Sequence, residues 1–248
     1  LKFYNFELIF LQKKESLKKI RFFLQDFINL FFPNSCTVCG RTLIKGENVF
    51  CTFCINDLPR TRFHKQPDNP VIQLFYANPR ILYGTAYFIY KKGSRFQKLI
   101  HQLKYKGCPE IGIELGKHFG NDILGSVFHS ADVLVPVPLH PERFKKRGYN
   151  QSEKICEGMS VSMSIPVDFK SVIRTVNTQT QTRKNKEERH KNVESIFSIQ
   201  NPEMLKNKHV LVVDDIITTG STMLSFAEEI LKIEGTKVSV AALGVAID

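Results

Sequence analysis

The chain is 248 residues long, 42% apolar and 24% charged, a balance that excludes a disordered polymer and fits a globular protein of one or two domains. Its 35 Lys and Arg against 24 Asp and Glu leave a formal charge of +11, so a polyanionic partner or substrate is expected: nucleic acid, a phosphorylated metabolite or anionic lipid. Every Phe- and Leu-rich stretch is broken by charge before it reaches the roughly 18 apolar residues of a membrane helix, which argues against a transmembrane span.

At the N-terminus, Leu1 to Leu11 are apolar enough to suggest a signal peptide. Glu7 interrupts them, only Lys2 precedes the core and no small-residue cleavage site follows, so a cytoplasmic protein is expected. Leu in place of Met at position 1 suggests a non-Met start codon or a trimmed start. Leu17, Ile20, Phe23, Leu24, Phe27, Ile28 and Phe31 recur at helical spacing, so residues 1–32 are read as a helical segment that packs on the body or on another subunit.

Cys36, Cys39, Cys51 and Cys54 then form two Cys-x-x-Cys pairs separated by eleven residues. Two such knuckles can supply a tetrahedral site of four thiolates, and zinc is the expected ion. A pair of disulfides and an iron-sulfur or redox role are the alternatives. Four thiolates leave no open coordination position, so the metal would be structural, stabilising a ribbon over residues 33–60 that is too small to bury its own core.

Residues 81–90 are rich in Ile, Tyr and Phe and read as a strand. Ser94 is the expected cap of a following helix whose Phe96, Leu99, Ile100 and Leu103 fall at i, i+3, i+4 and i+7. Residues 80–109 carry seven Lys or Arg and no acid, either a solvated helix face or a surface for nucleic acid or pyrophosphate. A helix over 110–119 leads to a strand at 132–137 and a proline-stiffened loop. That loop turns basic at Arg143, Lys145, Lys146 and Arg147, and a helix opens near Gly148 to Gln151. Residues 171–193 are polar and basic and are read as a flap, with disorder the alternative. Strands are expected at 196–199, 209–213 and 237–245.

The run from Val210 to Val213 has the β-branched, apolar character of a buried parallel strand, with Asp214 and Asp215 at its carboxyl end. Thr218, Thr219, Gly220, Ser221 and Thr222 follow, and helical spacing resumes at Met223. A strand, tight loop and helix in this order point backbone N–H groups and the helix dipole at one spot, and the hydroxyls add donors, so the loop can hold a phosphate monoester. Two carboxylates beside a phosphate need a partner that donates to them. The vicinal diol of a ribose 5-phosphate meets that demand. A Walker B strand would need a Walker A loop, and the sequence contains none.

The strand, paired Asp and Thr-Thr-Gly-x-Thr loop resemble the phosphoribosyl pyrophosphate (PRPP) signature of type I phosphoribosyltransferases. With the four-cysteine ribbon, Leu103 to Gly107, Val135 to Pro138, Arg147 to Gln151 and the Gln181, Arg189, Asn192 and Val193 of the flap, the order of motifs resembles the ComF family of phosphoribosyltransferase-like proteins. That family is linked to DNA uptake and competence. The resemblance covers residues 32–248. It implies a mainly parallel α/β sheet flanked by helices over 80–248, a small N-terminal zinc ribbon, and PRPP bound by Asp214, Asp215 and Thr218 to Thr222. If the protein is an enzyme, the implied reaction is magnesium-dependent transfer of a phosphoribosyl group with release of pyrophosphate, whose charge Arg147 and Arg189 would neutralise. The other readings are a module that senses PRPP without turnover while its basic faces engage single-stranded DNA, and a docking partner of the uptake machinery.

Overall fold

The computed structural model describes residues 33–175 and 196–247, so the expected N-terminal helix and most of the flap, Gln181, Arg189, Asn192 and Val193 included, lie outside the described residues. The chain divides between Asp57 and Leu58 into two compact units. Within the first, Ser35 and Thr42 form an antiparallel bridge. A short helix, α1 (Thr52–Asn56), follows Cys51. Its free amino end is met by Glu47, whose carboxylate accepts from Thr52 N at 2.7 Å and Thr52 Oγ1 at 2.8 Å.

In the second unit the chain runs α2 (Pro70–Gln73), β1 (Ile81–Ile89), α3 (Gln97–Tyr105), α4 (Pro109–Ile123), β2 (Val133–Pro136), α5 (Pro141–Arg147) and α6 (Gln151–Met163), then β3 (Val172–Arg174), β4 (Phe197–Ile199), β5 (His209–Ile217), α7 (Ser221–Ile230) and β6 (Lys237–Val245). Among the described residues, β1, β6, β5 and β2 form one sheet in that order, and every neighbouring pair is parallel. Val210, Val212, Val238 and Val240 join Phe226 and Ile230 of α7 in the core on one face. Leu211 and Val213 are equally buried, and α6 lies against β5 and β2. A strand covered on both faces needs an unbroken apolar run, which is what 210–213 supplies. No helix among the described residues is long and apolar enough to cross a membrane.

Four local expectations are corrected. Residues 197–199 do not join the main sheet; they pair antiparallel with β3 in a two-stranded sheet of their own, and Phe197 sets its ring edge-on to Phe226 at 4.8 Å. Strand β5 does not stop at Val213 but carries both Asp residues and ends at Ile217, because β6 continues to pair with it up to Val245. The basic stretch after Pro138 is a helix over 141–147, begun by the His140 side chain, which accepts from Glu142 N, and by Pro141 in the first turn. Ser94 does not cap α3, which starts at Gln97 without a side-chain cap.

Helices α4 and α6 approach so closely that a side chain is excluded between them. Gly112, Gly116 and Gly120 recur every four residues on one face of α4. A Cβ on Gly116 would stand 2.2 Å from the Ile155 carbonyl oxygen, and one on Gly158 would stand 2.0 Å from that of Ile113. Ser162 Oγ donates to the Lys117 carbonyl at 2.9 Å across the same seam. Gly116→Ala should therefore destabilise the protein by about 1–3 kcal/mol in urea unfolding. An unchanged midpoint would mean that the helices do not touch there.

Candidate functional site

The carboxyl ends of β2 and β5 and the amino ends of α6 and α7 surround a cavity of about 350 Å³, with Asp214, Asp215, Arg147 and Lys104 in its wall. A parallel sheet leaves such a crevice beyond its strand ends. Asn150, 2% exposed, ties the frame together. Its Nδ2 donates to the Val137 carbonyl at 3.0 Å, and its Oδ1 accepts from Ser152 N at 3.1 Å, so one amide caps α6 and holds the exit of β2.

Asp214 and Asp215 share this end of β5 but face different partners. Asp214 Oδ1 accepts from Ser152 Oγ at 2.9 Å and from Asp215 N at 2.8 Å. Asp215 Oδ1 lies 3.0 Å from Lys104 Nζ. Burial pushes the Asp214 carboxyl up to about 7, and the charge of Asp215 adds to it; the Asp215 N–H, the Ser152 hydroxyl and the Lys104 ammonium pull the other way.

The loop after β5 forms a second, smaller hollow of about 60 Å³ lined by Thr218 to Met223 and by Asp214. Gly220 caps α7 at φ +76°, a conformation that favours glycine, and a Cβ there would come within 3.3 Å of the Phe75 ring. Thr219 Oγ1 and Ser221 Oγ are 2.9 Å apart, and both residues are exposed. Hydroxyls and the amino end of α7 thus converge where an anion can enter.

Of the sequence-derived candidates, the structure brings together Asp214, Asp215, Thr218, Thr219, Gly220, Ser221, Thr222 and Arg147; Arg189 lies outside the described residues. Arg147 Nη1 donates to Gln151 Oε1 at 2.7 Å, and its guanidinium lies 5.1 Å from the centre of the Tyr105 ring. Lys104, Ser152, Arg143 and Arg174 also line the cavity and were not singled out for it. The signal for Ser152 was its place one residue past the Arg147 to Gln151 run. Arg174 was hidden in the basic segment: its Nε is buried with no hydrogen-bond partner among the described residues, and burial and Arg143 lower its pKa while Asp214 opposes them. Two carboxylates facing four cations suit a ligand that carries both hydroxyls and phosphates.

In the first unit the four candidate metal ligands, Cys36, Cys39, Cys51 and Cys54, bring their sulfurs within 4.8 Å of one another. Cys39 Sγ and Cys51 Sγ are 3.7 Å apart, close to the about 3.8 Å separating two sulfurs on one tetrahedral zinc. Burial pushes the Cys36 thiol up, but backbone N–H groups led by that of Cys51 outweigh it and bring it to about 6. Burial and the neighbouring thiols push Cys54 far up. Thiols that oppose one another's ionisation in this way accept a cation that neutralises them, so the donor set fits a structural zinc and leaves it no open position.

Residues 154–245 match the family model described as the phosphoribosyl transferase domain. The chain is 30% identical over 216 residues to the DNA utilization protein YhgH of Escherichia coli (strain K12), covering 84% of this chain and 88% of that protein. It is 27% identical over 207 residues to the competence protein ComFC of Bacillus subtilis (strain 168), covering 84% and 75%. Among solved structures, the glutamine PRPP amidotransferase of B. subtilis superposes with a TM-score of 0.42 at 20% identity, over 57% of this chain and 30% of that one.

The low-dielectric setting of the Asp214 carboxyl has a measurable consequence. Native Asp214 keeps its proton up to about pH 7, whereas an ordinary Asp releases it near 3.8. Across that window the folded state binds more protons, so stability falls as pH rises and stays reduced above it. Asp214→Asn keeps an acceptor oxygen and removes the penalty. Its melting temperature should exceed the wild type by several degrees above pH 7, with the gain fading as the pH falls to about 4. Equal melting temperatures at alkaline pH would refute the desolvation of this carboxylate.

Proposed function

The chain belongs to the ComF family of phosphoribosyltransferase-like proteins, and on that premise we propose that the cavity at the ends of β2 and β5 binds PRPP. The observation that carries this reading is the paired Asp214 and Asp215 facing a cavity of about 350 Å³ whose floor runs into the hydroxyl-lined loop of Thr218 to Thr222. The 5-phosphate takes the loop, where the amino end of α7 and the Thr218, Thr219, Ser221 and Thr222 hydroxyls donate to it. The ribose diol donates to Asp214 and Asp215. The pyrophosphate lies toward Arg143, Arg147 and Arg174, with Arg189 a further candidate to meet it. Oxygen donors from the ligand and the carboxylates suit magnesium, which when bound would neutralise part of the pyrophosphate charge.

Phosphoribosyl transfer from this complex breaks the bond between the anomeric carbon and pyrophosphate while an acceptor forms a new bond to that carbon. The chain's part is to hold the sugar through a rigid strand end and to stabilise charge on the departing pyrophosphate with its arginines. The names of the relatives support a role in DNA uptake or utilization, and a metal site built from four thiolates would suit a reducing compartment such as the cytoplasm. Zinc is proposed as the structural ion of Cys36, Cys39, Cys51 and Cys54.

One feature favours a second reading, in which the same unit also binds single-stranded DNA. Phe144 is 46% exposed on α5 between Arg143 and Lys145, with Lys146 beside them, and an exposed ring flanked by cations suits base stacking. Proteins of the uptake machinery would then be its partners.

Calorimetric titration with PRPP and magnesium tests the principal reading. The wild type should bind, and the Asp214→Asn/Asp215→Asn double variant should stay folded and lose detectable binding. Equal affinity in the two proteins would remove the ribose assignment. Metal analysis should find one zinc per chain. Cys54→Ser should lower that content and loosen residues 33–57 to proteolysis; full zinc content in that variant would argue against the four-sulfur site.

A further inference from the structure

Gln151 opens α6 in the wall of the cavity and is 1% exposed, yet half of its amide has no partner. Its Oε1 accepts from Arg147 Nη1 at 2.7 Å. A guanidinium only donates, so this bond fixes the way the amide faces, with the oxygen toward Arg147 and the NH2 group away from it. That nitrogen, Nε2, is buried and finds no acceptor among the described residues. A buried donor left unpaired carries a desolvation penalty that an apolar side chain of the same size would avoid. The neighbours in the wall do not relieve it. Arg143, Arg147 and Arg174 are donors only, the Asn150 oxygen is taken by Ser152 N, and the Ser152 hydroxyl is turned to Asp214.

We propose that Gln151 is a ligand-binding residue whose amide donates to an oxygen of the pyrophosphate, and so selects a sugar that is pyrophosphorylated at the anomeric position over a sugar monophosphate. It rests on the reading of the cavity as a PRPP site. Two features of its placement favour an anion over a hydroxyl as the acceptor. Gln151 is the first residue of a helix of 13, whose positive end favours negative charge. It also stands between two poles of the cavity. On one side is Arg147, among the cations; on the other is Ser152, bonded to the Asp214 that takes the ribose diol. The phosphate that joins the sugar to the rest of the pyrophosphate spans that interval. The Tyr105 ring backs the Arg147 guanidinium at 5.1 Å, so the group that aims the amide is itself held. An arginine attracts any anion, whereas a neutral amide adds direction without charge and bonds only an acceptor in the right place.

The test compares the wild type with Gln151→Met and Gln151→Glu, using calorimetry for PRPP and for pyrophosphate, each with magnesium, and amide NMR shifts for ribose 5-phosphate. Gln151→Met keeps the bulk of the side chain and removes the donor, so it should weaken PRPP and pyrophosphate by about 10- to 100-fold and ribose 5-phosphate by less than about twofold. Gln151→Glu puts acceptor oxygens where the amide was and pairs with Arg147, and should weaken the two pyrophosphate ligands further. Gln151→Asn keeps an amide but withdraws it by one methylene; it should show the same pattern without placing an apolar or charged group at this buried position. Equal loss for all three ligands would make Gln151 a packing residue and overturn the inference. Unchanged affinities would overturn it too, while leaving the PRPP reading in place. A wild type that binds pyrophosphate through Gln151 but does not bind PRPP would remove that reading and leave Gln151 as an anion donor. A wild type that binds neither overturns both.

Discussion

The second unit is organised around the desolvation of two carboxylates at the end of a strand that is buried on both faces. A parallel strand must be covered above and below, which calls for apolar residues along its length and helices on both sides. Placing Asp214 and Asp215 on the same strand sets a demand that the surroundings meet one bond at a time, from the Ser152 hydroxyl, the Asp215 N–H and the Lys104 ammonium. The first of these depends on α6 standing where it does. That position depends on the glycine seam against α4, where Gly116 and Gly158 admit no side chain. The chemistry of the cavity and the packing of helices behind it are therefore one problem, solved by side chains far apart in the chain.

Much of this could be read from the residues. The apolar run of Val210 to Val213 and the hydroxyl-rich loop after it have no other economical interpretation, because the periodicity switches from strand to helix across a glycine. Asn150 belonged to a recognisable run, and the structure gives that run its physical content: a cap, a tie to β2 and a hydroxyl for Asp214 one residue further on. What stayed hidden depends on tertiary partners. Propensity cannot tell that β5 continues past Val213, since two acidic residues discourage a strand and only pairing with β6 keeps them in one. The basic stretch after Pro138 looked like a loop because helices of seven residues leave little periodicity to detect. Lys104 looked like one more charge on a basic face, and only the fold shows that it points inward while Lys106, two residues on, lies in the wall of a different groove.

The first unit follows another logic. Residues 33–57 contain one helix of five residues and one isolated bridge, too little structure to hold itself by hydrophobic burial. Cys36, Cys51 and Cys54 are nonetheless buried, at 2%, 1% and 4% exposure. Val38, Val49 and Phe50 are buried too, so sulfur and a few apolar side chains together stand in for a larger core. The order of local structure thus follows the four cysteines more than any hydrophobic pattern, which is why their spacing was informative where periodicity was silent.

The continuation of β5 through Asp215 to Ile217 separates two kinds of recognition in the same cavity. The backbone of both carboxylates is clamped in the sheet by its register with β6, whereas the cations opposite reach in on long side chains from α3, α5 and β3. A rigid acceptor pair is demanding about the stereochemistry of what it holds, and long cationic side chains are tolerant. For the proposed PRPP ligand, the strand-borne pair would then set the stereochemistry of the sugar, and the long cationic side chains would adapt to the charged groups around it.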